Sequence, residues 1–286
     1  MSRLYQRLDA PHFDYVLYTP AALPNDEFRG PAPDLSRPYA AFIGGAQTFG
    51  RFVARPFAQA VADELGMQCL NLGIGGAGPR FALQPPVLEL LNGAAIVVVQ
   101  FFSGRSASCT LFDNGRQGRN SGKYLPTGKH MSYEQFFKNL LARAEPALVE
   151  RIVRETREDY AHSMREVAAA IKAPKVALWI SRRRPEYEKN WVERYGWMNF
   201  FPQLLDETVV AACAPAFDSY VECVAKVGLP QRLWRAAAPV EGAQLGADGW
   251  LYNEYYPSPE MNELASTMLV PVCSELLARR AAAQPR

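Results

Sequence analysis

Residues 39–50 read YAAFIGGAQTFG, a short apolar run that ends in a glycine pair and a polar turn. A run of this kind, bounded by glycine, is typical of a strand buried in a sheet. Residues 52–66 follow as FVARPFAQAVADELG, whose apolar positions recur at helical spacing and stop at Gly66. The stretch therefore predicts a strand, a tight turn and a helix. The turn is a catalytic elbow without a nucleophile, a backbone cradle for a ligand, or a tight connection.

The same unit recurs along the chain. MQCLNLG (67–73) predicts a second strand, and AAIVVVQFF (94–102) predicts a third whose β-branched run favours burial on both faces of a parallel sheet. KVALWIS (175–181) predicts a fourth strand, and SYVECVAKVG (219–228) is either a fifth strand or part of a helix. Since helical patterns separate these runs, we expect an α/β fold of three α/β/α layers, flavodoxin-like, with a parallel sheet of about five strands.

The chain divides into a main domain and three smaller parts. Residues 1–37 contain five prolines and few periodic apolar positions, which predicts an irregular N-terminal arm that packs on the body. Residues 38–282 form a single domain, and 283–286 form a tail. Residues 103–144 are polar and contain several glycines, so we interpret them as a loop or cap insertion. Loops of this length are usually either functional or disordered.

Charge and composition argue against several classes of function. The chain has 31 basic and 29 acidic residues, a formal net charge of +2, so no global field favours nucleic acid or an anionic membrane surface. No apolar run reaches the length of a signal peptide or a membrane span, which predicts a cytoplasmic protein. The five cysteines form no C-x-x-C pair and are expected to be reduced thiols. The three histidines lack metal-ligand spacing, so no metal or other cofactor is evident.

Four polar or glycine-rich segments follow predicted strands or precede the last helix: 44–50, 71–78, 100–109 and 253–262. Ligands of open parallel sheets bind at the carboxyl ends of the strands, where three of these segments should meet. In their order the segments resemble the four sequence blocks of the SGNH, or GDSL-like, hydrolase superfamily. In that superfamily a G-D-S-x-T-x-G turn carries the nucleophile, N-x-G and G-x-N-D turns supply oxyanion donors, and D-x-x-H-P precedes the final helix.

This chain departs from the superfamily at the reactive positions. Gly45 and Ala46 stand where the resemblance places Asp and Ser, and Asn253 and Tyr256 replace the Asp and His before the last helix. An acyl-enzyme mechanism needs a hydroxyl with a base in hydrogen-bond reach, and alanine has nothing to activate. No catalytic triad can therefore be written, although residues 71–73, Asn-Leu-Gly, match the second block.

A closer resemblance is to an uncharacterised bacterial SGNH-like family often found beside sulfotransferase and polysaccharide-biosynthesis proteins. The motifs that carry it are GGAQTFG, NLGIGGAGP, SGRSAS, LWIS and YYPSPEMN, over roughly residues 40–270. The histidine that this family has after Glu-Met is Asn262 here. The resemblance implies an SGNH-type fold and a context of polysaccharide or cell-envelope metabolism.

An anion is the ligand that the predicted site, at the carboxyl ends of the strands, would favour. Glycines let backbone N–H groups approach a ligand, and Arg105, with Arg51 or Arg80 as further candidates, would pair with a phosphate, sulfate or carboxylate. A structural carboxylate such as Asp113 is the alternative partner for Arg105. The catalytic residues are unknown, with Arg105, Ser103 and Ser106 as candidates. The predicted ligand-binding residues are Gly45, Ala46, Gln47, Thr48, Asn71, Gly73, Gly76, Gln100, Ser103, Arg105, Tyr256 and Asn262.

A basic run, Ser181 to Pro185, follows the fourth predicted strand. It is either a solvated turn or a guide for a phosphorylated or sulfated substrate. The aromatic side chains of residues 191–201 then form a cap over the site or a surface for stacking a saccharide.

Three functions stay open on the sequence. The first is a transferase or hydrolase of a polysaccharide or cell-envelope precursor that uses the glycine cradle and Arg105. The second is a non-catalytic protein that binds an anionic or sugar-linked small molecule, or a partner enzyme. The third is an esterase or acyltransferase that uses Ser103 or Ser106 with a histidine from elsewhere. The oligomeric state stays open as well.

Overall fold

A computed structural model of the chain describes residues 4–115, 118–186 and 200–283. The α-helices are α1 (Leu4–Phe13), α2 (Ala46–Phe49), α3 (Phe57–Glu64), α4 (Pro79–Ala82), α5 (Pro85–Asn92), α6 (Tyr133–Arg143), α7 (Pro146–Ala170), α8 (Glu207–Cys213) and α9 (Pro259–Ala283). The strands are β1 (Leu17–Tyr18), β2 (Phe28–Arg29), β3 (Tyr39–Gly44), β4 (Gln68–Gly73), β5 (Ile96–Gln100), β6 (Phe112–Asp113), β7 (Ser121–Tyr124), β8 (Lys129–Ser132), β9 (Lys175–Ser181), β10 (Ser219–Val224), β11 (Gln231–Arg235), β12 (Gln244–Leu245) and β13 (Trp250–Asn253).

Five of these strands form a parallel sheet in the order β10-β9-β5-β3-β4. Counted along the chain, the order is 2-1-3-4-5, a doubly wound arrangement whose switch point lies between β3 and β5. The predicted parallel sheet of about five strands is confirmed. The segment 219–228, left open between strand and helix, contributes β10, which pairs with β9 from Ser219 to Val224.

Helices cover both faces of this sheet because successive strand residues point to opposite sides. On one face Phe42, Val98 and Leu178 pack with α3 and α9. On the other face Val99 and Trp179 pack with α5, α7 and α8. All six residues of β3 are buried, which explains its uninterrupted apolar sequence. The α/β class and the three layers are thus present.

Proline shifts two of the predicted helix boundaries. The helix expected from the pattern of residues 52–66 begins only at Phe57, after Pro56, and a separate short helix, α2, lies before it at residues 46–49. The sequence pattern also predicts one helix from about Phe81 to Leu91, and the structure divides it into α4 and α5, since Pro85 starts a new helix. Proline lacks the N–H that would continue a helix, and it suits the first helical turn.

The segments expected to be irregular contain regular structure. Residues 1–37, predicted as an irregular arm, include helix α1 and an antiparallel pair, β1 with β2. The insertion 103–144 contains the antiparallel sheet β6-β7-β8 and helix α6, and packs its own aromatic cluster against α7. A third small sheet, β11-β13-β12, was not predicted, because its strands are short and only partly apolar.

Across the described ranges, no helix combines the length and apolarity that a membrane crossing requires.

Candidate functional site at the carboxyl edge of the sheet

The turn after β3 is held from below by a side chain at the end of β5. Gln100 is fully buried, and its Oε1 accepts hydrogen bonds from the Gly45 N–H at 3.0 Å and from the Thr48 hydroxyl at 2.5 Å. The Nε2 of Gln100 has no partner among the described residues. Helix α2 then ends at Gly50, whose φ of 79° lies in the left-handed region that favours glycine. Gln100 therefore fixes the turn rather than facing open space.

The glycines of the first two motifs bring two segments of the chain close together. A Cβ on Gly73 would lie 2.1 Å from the Phe49 nitrogen. Asn71 completes this contact, since its Nδ2 donates to the Thr48 carbonyl at 2.8 Å and its Oδ1 accepts from the Gly73 N–H at 2.9 Å. The observed partners of these groups are thus protein atoms, and ligand binding by them stays a prediction.

The N-terminal arm clamps the same turn. Asp9 and Arg51 form an ion pair of 2.7 Å in which both side chains are 1% exposed. The Tyr15 hydroxyl accepts a hydrogen bond of 2.5 Å from the N–H of Phe52. Phe52 has a φ of 64°, a conformation that costs about 1–3 kcal/mol in a non-glycine residue and persists only where neighbours hold it. The arm is therefore part of the turn's structure.

Ala46 stands where the sequence resemblance would place a nucleophile, and neighbouring side chains shield it from solvent. It is 7% exposed and packs in one cluster with Tyr15, Phe52, Leu251 and Tyr256. The cover comes from the arm, from β13 and from the loop before α9. A serine-sized group at this position would face packed side chains.

The residues that replace the superfamily Asp and His shape the loop before α9. The Oδ1 of Asn253 accepts from the N–H groups of Tyr255 and Tyr256 at 3.0 and 2.8 Å. The Tyr256 hydroxyl accepts from Nη1 of Arg51 at 3.2 Å, and burial raises the pKa of Tyr256 to about 12. Tyr256 is therefore a neutral phenol at physiological pH and supplies no base.

Asn262 joins the last helix to helix α3. Its Oδ1 accepts from the N–H of Phe57, the first residue of α3, at 2.9 Å. Its Nδ2 donates to the Ser258 carbonyl at 2.9 Å, and the residue is 2% exposed. Asn262 thus satisfies the Phe57 N–H, one of the donors that the start of helix α3 leaves without an intrahelical partner.

Arg105 is bound within the insertion. Its Nε donates to the Ser103 hydroxyl at 3.2 Å, and its Nη1 pairs with Glu134 at 3.3 Å. A hydrogen bond from Lys138, together with the charge of Arg105, holds the pKa of Glu134 below its usual value. The carboxylate partner of Arg105 is thus Glu134, and Asp113, the partner considered from sequence, lies on β6.

The candidate serine and cysteine nucleophiles lack an activating base. Ser106 donates its hydroxyl to the Ser103 carbonyl at 2.7 Å and is 3% exposed. Burial raises the pKa of the Cys109 thiol to about 11, so the thiol is protonated at neutral pH.

The histidines lie away from these groups. His12 stacks on Trp234 with ring centroids 4.2 Å apart, His162 pairs with Glu166 at 3.3 Å, and His130 is exposed on β8. Within the three described ranges no histidine bonds a serine or cysteine. No group of three or more potential metal-ligating side chains occurs there either.

Two remaining candidates are engaged in local contacts. Gly76 has a φ of 78°, and a Cβ there would lie 2.7 Å from Oδ1 of Asn120 in the insertion. Arg80 pairs with Asp159 of α7 at 2.5 Å and donates to the Ser108 hydroxyl at 2.9 Å. Both residues attach the insertion and its supporting helix to the body.

The basic run after β9 divides its arginines between two environments. Arg183 points inward and donates to the carbonyls of Pro202 and Leu205 at 2.6 and 2.7 Å. Arg182 stands 5.5 Å from the ring of Phe200, and it forms no ion pair or hydrogen bond within the part of the chain that the structure describes. Arg184 is exposed. Arg182 and Arg184 are therefore the cations of this run that are left for a ligand, and of the two Arg182 lines a cleft.

Arg182 lines a partly open cleft at the carboxyl end of β9, with a volume of about 20 Å³. Its lining residues are Ser181, Arg182, Phe200, Phe201, Tyr255, Pro257 and Met261. Behind Tyr255, the Nε2 of Gln203 donates to the tyrosine hydroxyl, and the Oε1 of Gln203 has no partner among the described residues. The cleft therefore combines a cation, aromatic walls and a supporting amide. The aromatic residues 191–199 of the predicted cap lie outside the described residues.

Residues 5–116 match a protein family described as Domain of unknown function (DUF6473). The match covers less than half of the chain, and it spans the arm together with β3, β4 and β5. Asp9 and Arg51 both fall inside it. A comparison with curated proteins finds no match to the chain.

Sequence reasoning missed the residues that decide the character of this edge. Asp9, Tyr15 and Arg29 lie in the segment predicted to be irregular, and Gln203 lies in no motif. Tyr255 is part of the motif YYPSPEMN but was not predicted to be a site residue. A usable signal was present in the arm, since an acidic and a basic residue with aromatic neighbours are unusual in an unstructured segment. No pattern in the sequence indicates that Arg182, and not Arg183, lines the cleft.

Proposed function

We propose that this protein is an SGNH-like, non-hydrolytic protein that binds a small anionic, sugar-linked molecule. The ligand's phosphate, sulfate or carboxylate group enters the cleft beside Arg182. Strand order 2-1-3-4-5 and the position of the four motif segments support the SGNH-type assignment. The resemblance to proteins found beside sulfotransferases supports a phosphorylated or sulfated saccharide as the ligand.

The observation that carries the proposal is the guanidinium of Arg182 in an aromatic cleft at the carboxyl end of β9. Ligands of doubly wound sheets gather at this edge. A guanidinium without a carboxylate partner offers a planar pair of donors to an oxyanion. Phe200, Phe201 and Tyr255 offer apolar faces and, in Tyr255, a hydroxyl, which suits the ring of a sugar.

The size of the cleft defines how the ligand binds. A volume of about 20 Å³ holds about one water-sized group, so one oxygen of the anionic group enters the cleft and the rest of the ligand stays outside. The saccharide ring therefore lies at the mouth, against Tyr255 and Phe200. Two observations support binding without hydrolysis: Ala46 is covered, and no serine of the described ranges bonds a histidine or a carboxylate that could act as its base, apart from the serines that bond Asp34 and Asp159 at structural contacts.

Thermal-shift measurements and calorimetry test the proposal with glucose 1-phosphate, glucose 6-sulfate, UDP-glucose, AMP, coenzyme A, inorganic phosphate and sulfate as probes. At least one sugar-linked anion should stabilise the wild type, and Arg182→Ala should weaken its binding about tenfold or more, because a charge-assisted hydrogen bond is lost.

Arg184→Ala is the matched control, since it removes an exposed charge from the same run. It should leave the affinity within about twofold, because exposed charges are screened by solvent. Equal losses of affinity in both variants would mean that the positive charge of the run, and not the position of Arg182, attracts the ligand. No response to any probe would refute the proposal.

A further inference from the structure

A second cavity, of about 180 Å³, lies between the N-terminal arm and the body. Asp14 and Arg29 line it from the arm, and Gln59 and Asn71 line it from α3 and β4. It shares no lining residue with the cleft at β9. Whatever binds here is therefore independent of the ligand proposed for Arg182.

Arg29 brings a buried positive charge to this cavity. The residue is 5% exposed, and its Nη2 donates to the carbonyls of Val53 and Ala54 at 3.0 and 2.6 Å. Its guanidinium carbon stands 4.1 Å from the centre of the Tyr15 ring. All of these partners are uncharged, and burial lowers the pKa of Arg29. Buried charges are ordinarily paired with an opposite charge, and none of the described carboxylates pairs with this one.

Asp14 brings the opposite charge to the same cavity. It is exposed, lies between α1 and β1, and forms no ion pair with Arg29 or with any other described residue. The other lining side chains are uncharged at neutral pH, since burial raises the pKa of the Cys69 thiol to about 12. The cavity thus has one cationic and one anionic wall that do not neutralise each other directly.

We propose that this cavity binds a small zwitterion, such as an α-amino acid, with its carboxylate on Arg29 and its ammonium group towards Asp14. Nη2 of Arg29 donates to the carbonyls of Val53 and Ala54, and Nη1 donates to the carbonyl of Gly50. The Nε hydrogen and the second Nη1 hydrogen are the donors left for a carboxylate, and the guanidinium supplies the charge. The amides of Gln59 and Asn71 add polar groups to the wall. A ligand with both charges pairs each wall, whereas a simple anion leaves Asp14 facing a like charge.

Titration calorimetry on the full chain tests this with glycine, alanine and glutamine as zwitterions, and with acetate and ethylamine as their separate halves. We expect at least one zwitterion to bind about tenfold or more tightly than either half. Asp14→Asn should abolish that preference without lowering the thermal midpoint, since Asp14 makes no structural contact. Glu64→Gln, an exposed carboxylate outside the cavity, should behave as the wild type.

Arg29→Lys keeps the charge and loses the Nε donor, but it also weakens the contacts to the turn, so Asp14→Asn is the decisive variant. Zwitterion binding that is unchanged in Asp14→Asn, or acetate binding as tightly as glycine, would overturn the assignment. So would the absence of any heat or thermal shift with all five probes. Arg182→Ala should leave zwitterion binding intact, which separates this test from that of the proposed function.

Discussion

The turn after β3 and the cleft after β9 lie at the same edge of the sheet, but they use their polar groups differently. In the turn, the polar side chains bond to protein atoms: Gln100 holds Gly45 and Thr48, and Asp9 pairs with Arg51. In the cleft, Arg182 has no charged partner among the described residues. The motif that resembles a catalytic elbow therefore stabilises the fold, and the cleft beside it is where we propose that the ligand binds.

If the chain has the SGNH-type fold that we propose, the motif is present here without the function that it has in that superfamily. A glycine-rich turn needs glycine for close packing whether or not it also binds a ligand. Alanine has no polar side-chain group, so burying Ala46 leaves no side-chain hydrogen-bond donor or acceptor without a partner. The arm, β13 and the loop before α9 can then cover it, as they do here.

The largest effect is expected from breaking the ion pair under the turn. Asp9→Ala leaves the Arg51 guanidinium buried without its carboxylate, so the free energy of unfolding should fall by about 3–5 kcal/mol. Urea denaturation monitored by circular dichroism measures it. Arg55→Ala, which breaks an exposed ion pair with Asp63, is the control and should cost no more than about 1 kcal/mol. Equal, small losses in both variants would mean that the arm does not hold the turn.

A smaller effect should distinguish two glycines of the motifs. Gly73→Ala places a methyl group 2.1 Å from the Phe49 nitrogen, and it should lower the free energy of unfolding by about 1–3 kcal/mol or more. Gly45→Ala meets only the flexible end of Gln47, at 2.9 Å, and should cost less than about 1 kcal/mol. Denaturant titrations of both variants measure these losses. If the two losses of unfolding free energy were alike, close packing would not be the role of Gly73.

The smallest expected change is in catalysis. Ala46→Ser restores the hydroxyl of the superfamily motif, but neither a base nor space for a substrate lies beside it. Hydrolysis of p-nitrophenyl acetate should stay at the wild-type background, with a stability loss of about 1 kcal/mol for the buried hydroxyl. Saturable ester cleavage well above the wild type would show that the turn is an accessible catalytic elbow.

Much of the fold could be predicted from the sequence because buried parallel strands are locally visible. The runs that form β3, β5 and β9 are mostly apolar and end in glycine or polar residues, so these strands and their parallel direction could be predicted. The contact between Asp9 and Arg51 spans 42 residues, and no local pattern reports it. Arg182 and Arg183 are adjacent and identical, so only the fold decides which one bonds to carbonyls and which one lines the cleft.

The candidate site was less predictable because it depends on contacts between distant parts of the chain. Asn71, Gly73 and Gln100 were identified by motif, yet a motif does not tell whether a donor faces a ligand or its own chain. The residues of the cleft come from three distant parts of the sequence, residues 181–182, 200–201 and 255–261. Their proximity depends on the register of β9 and on the path of the loop before α9.

A crystal structure of the protein soaked with glucose 1-phosphate tests the central claim most directly. We expect the phosphate to lie about 2.7–2.9 Å from the Arg182 guanidinium, with the sugar against Tyr255, and the turn 44–50 to be unchanged. A phosphate bound instead to the backbone of residues 44–50, above Ala46, would contradict the account.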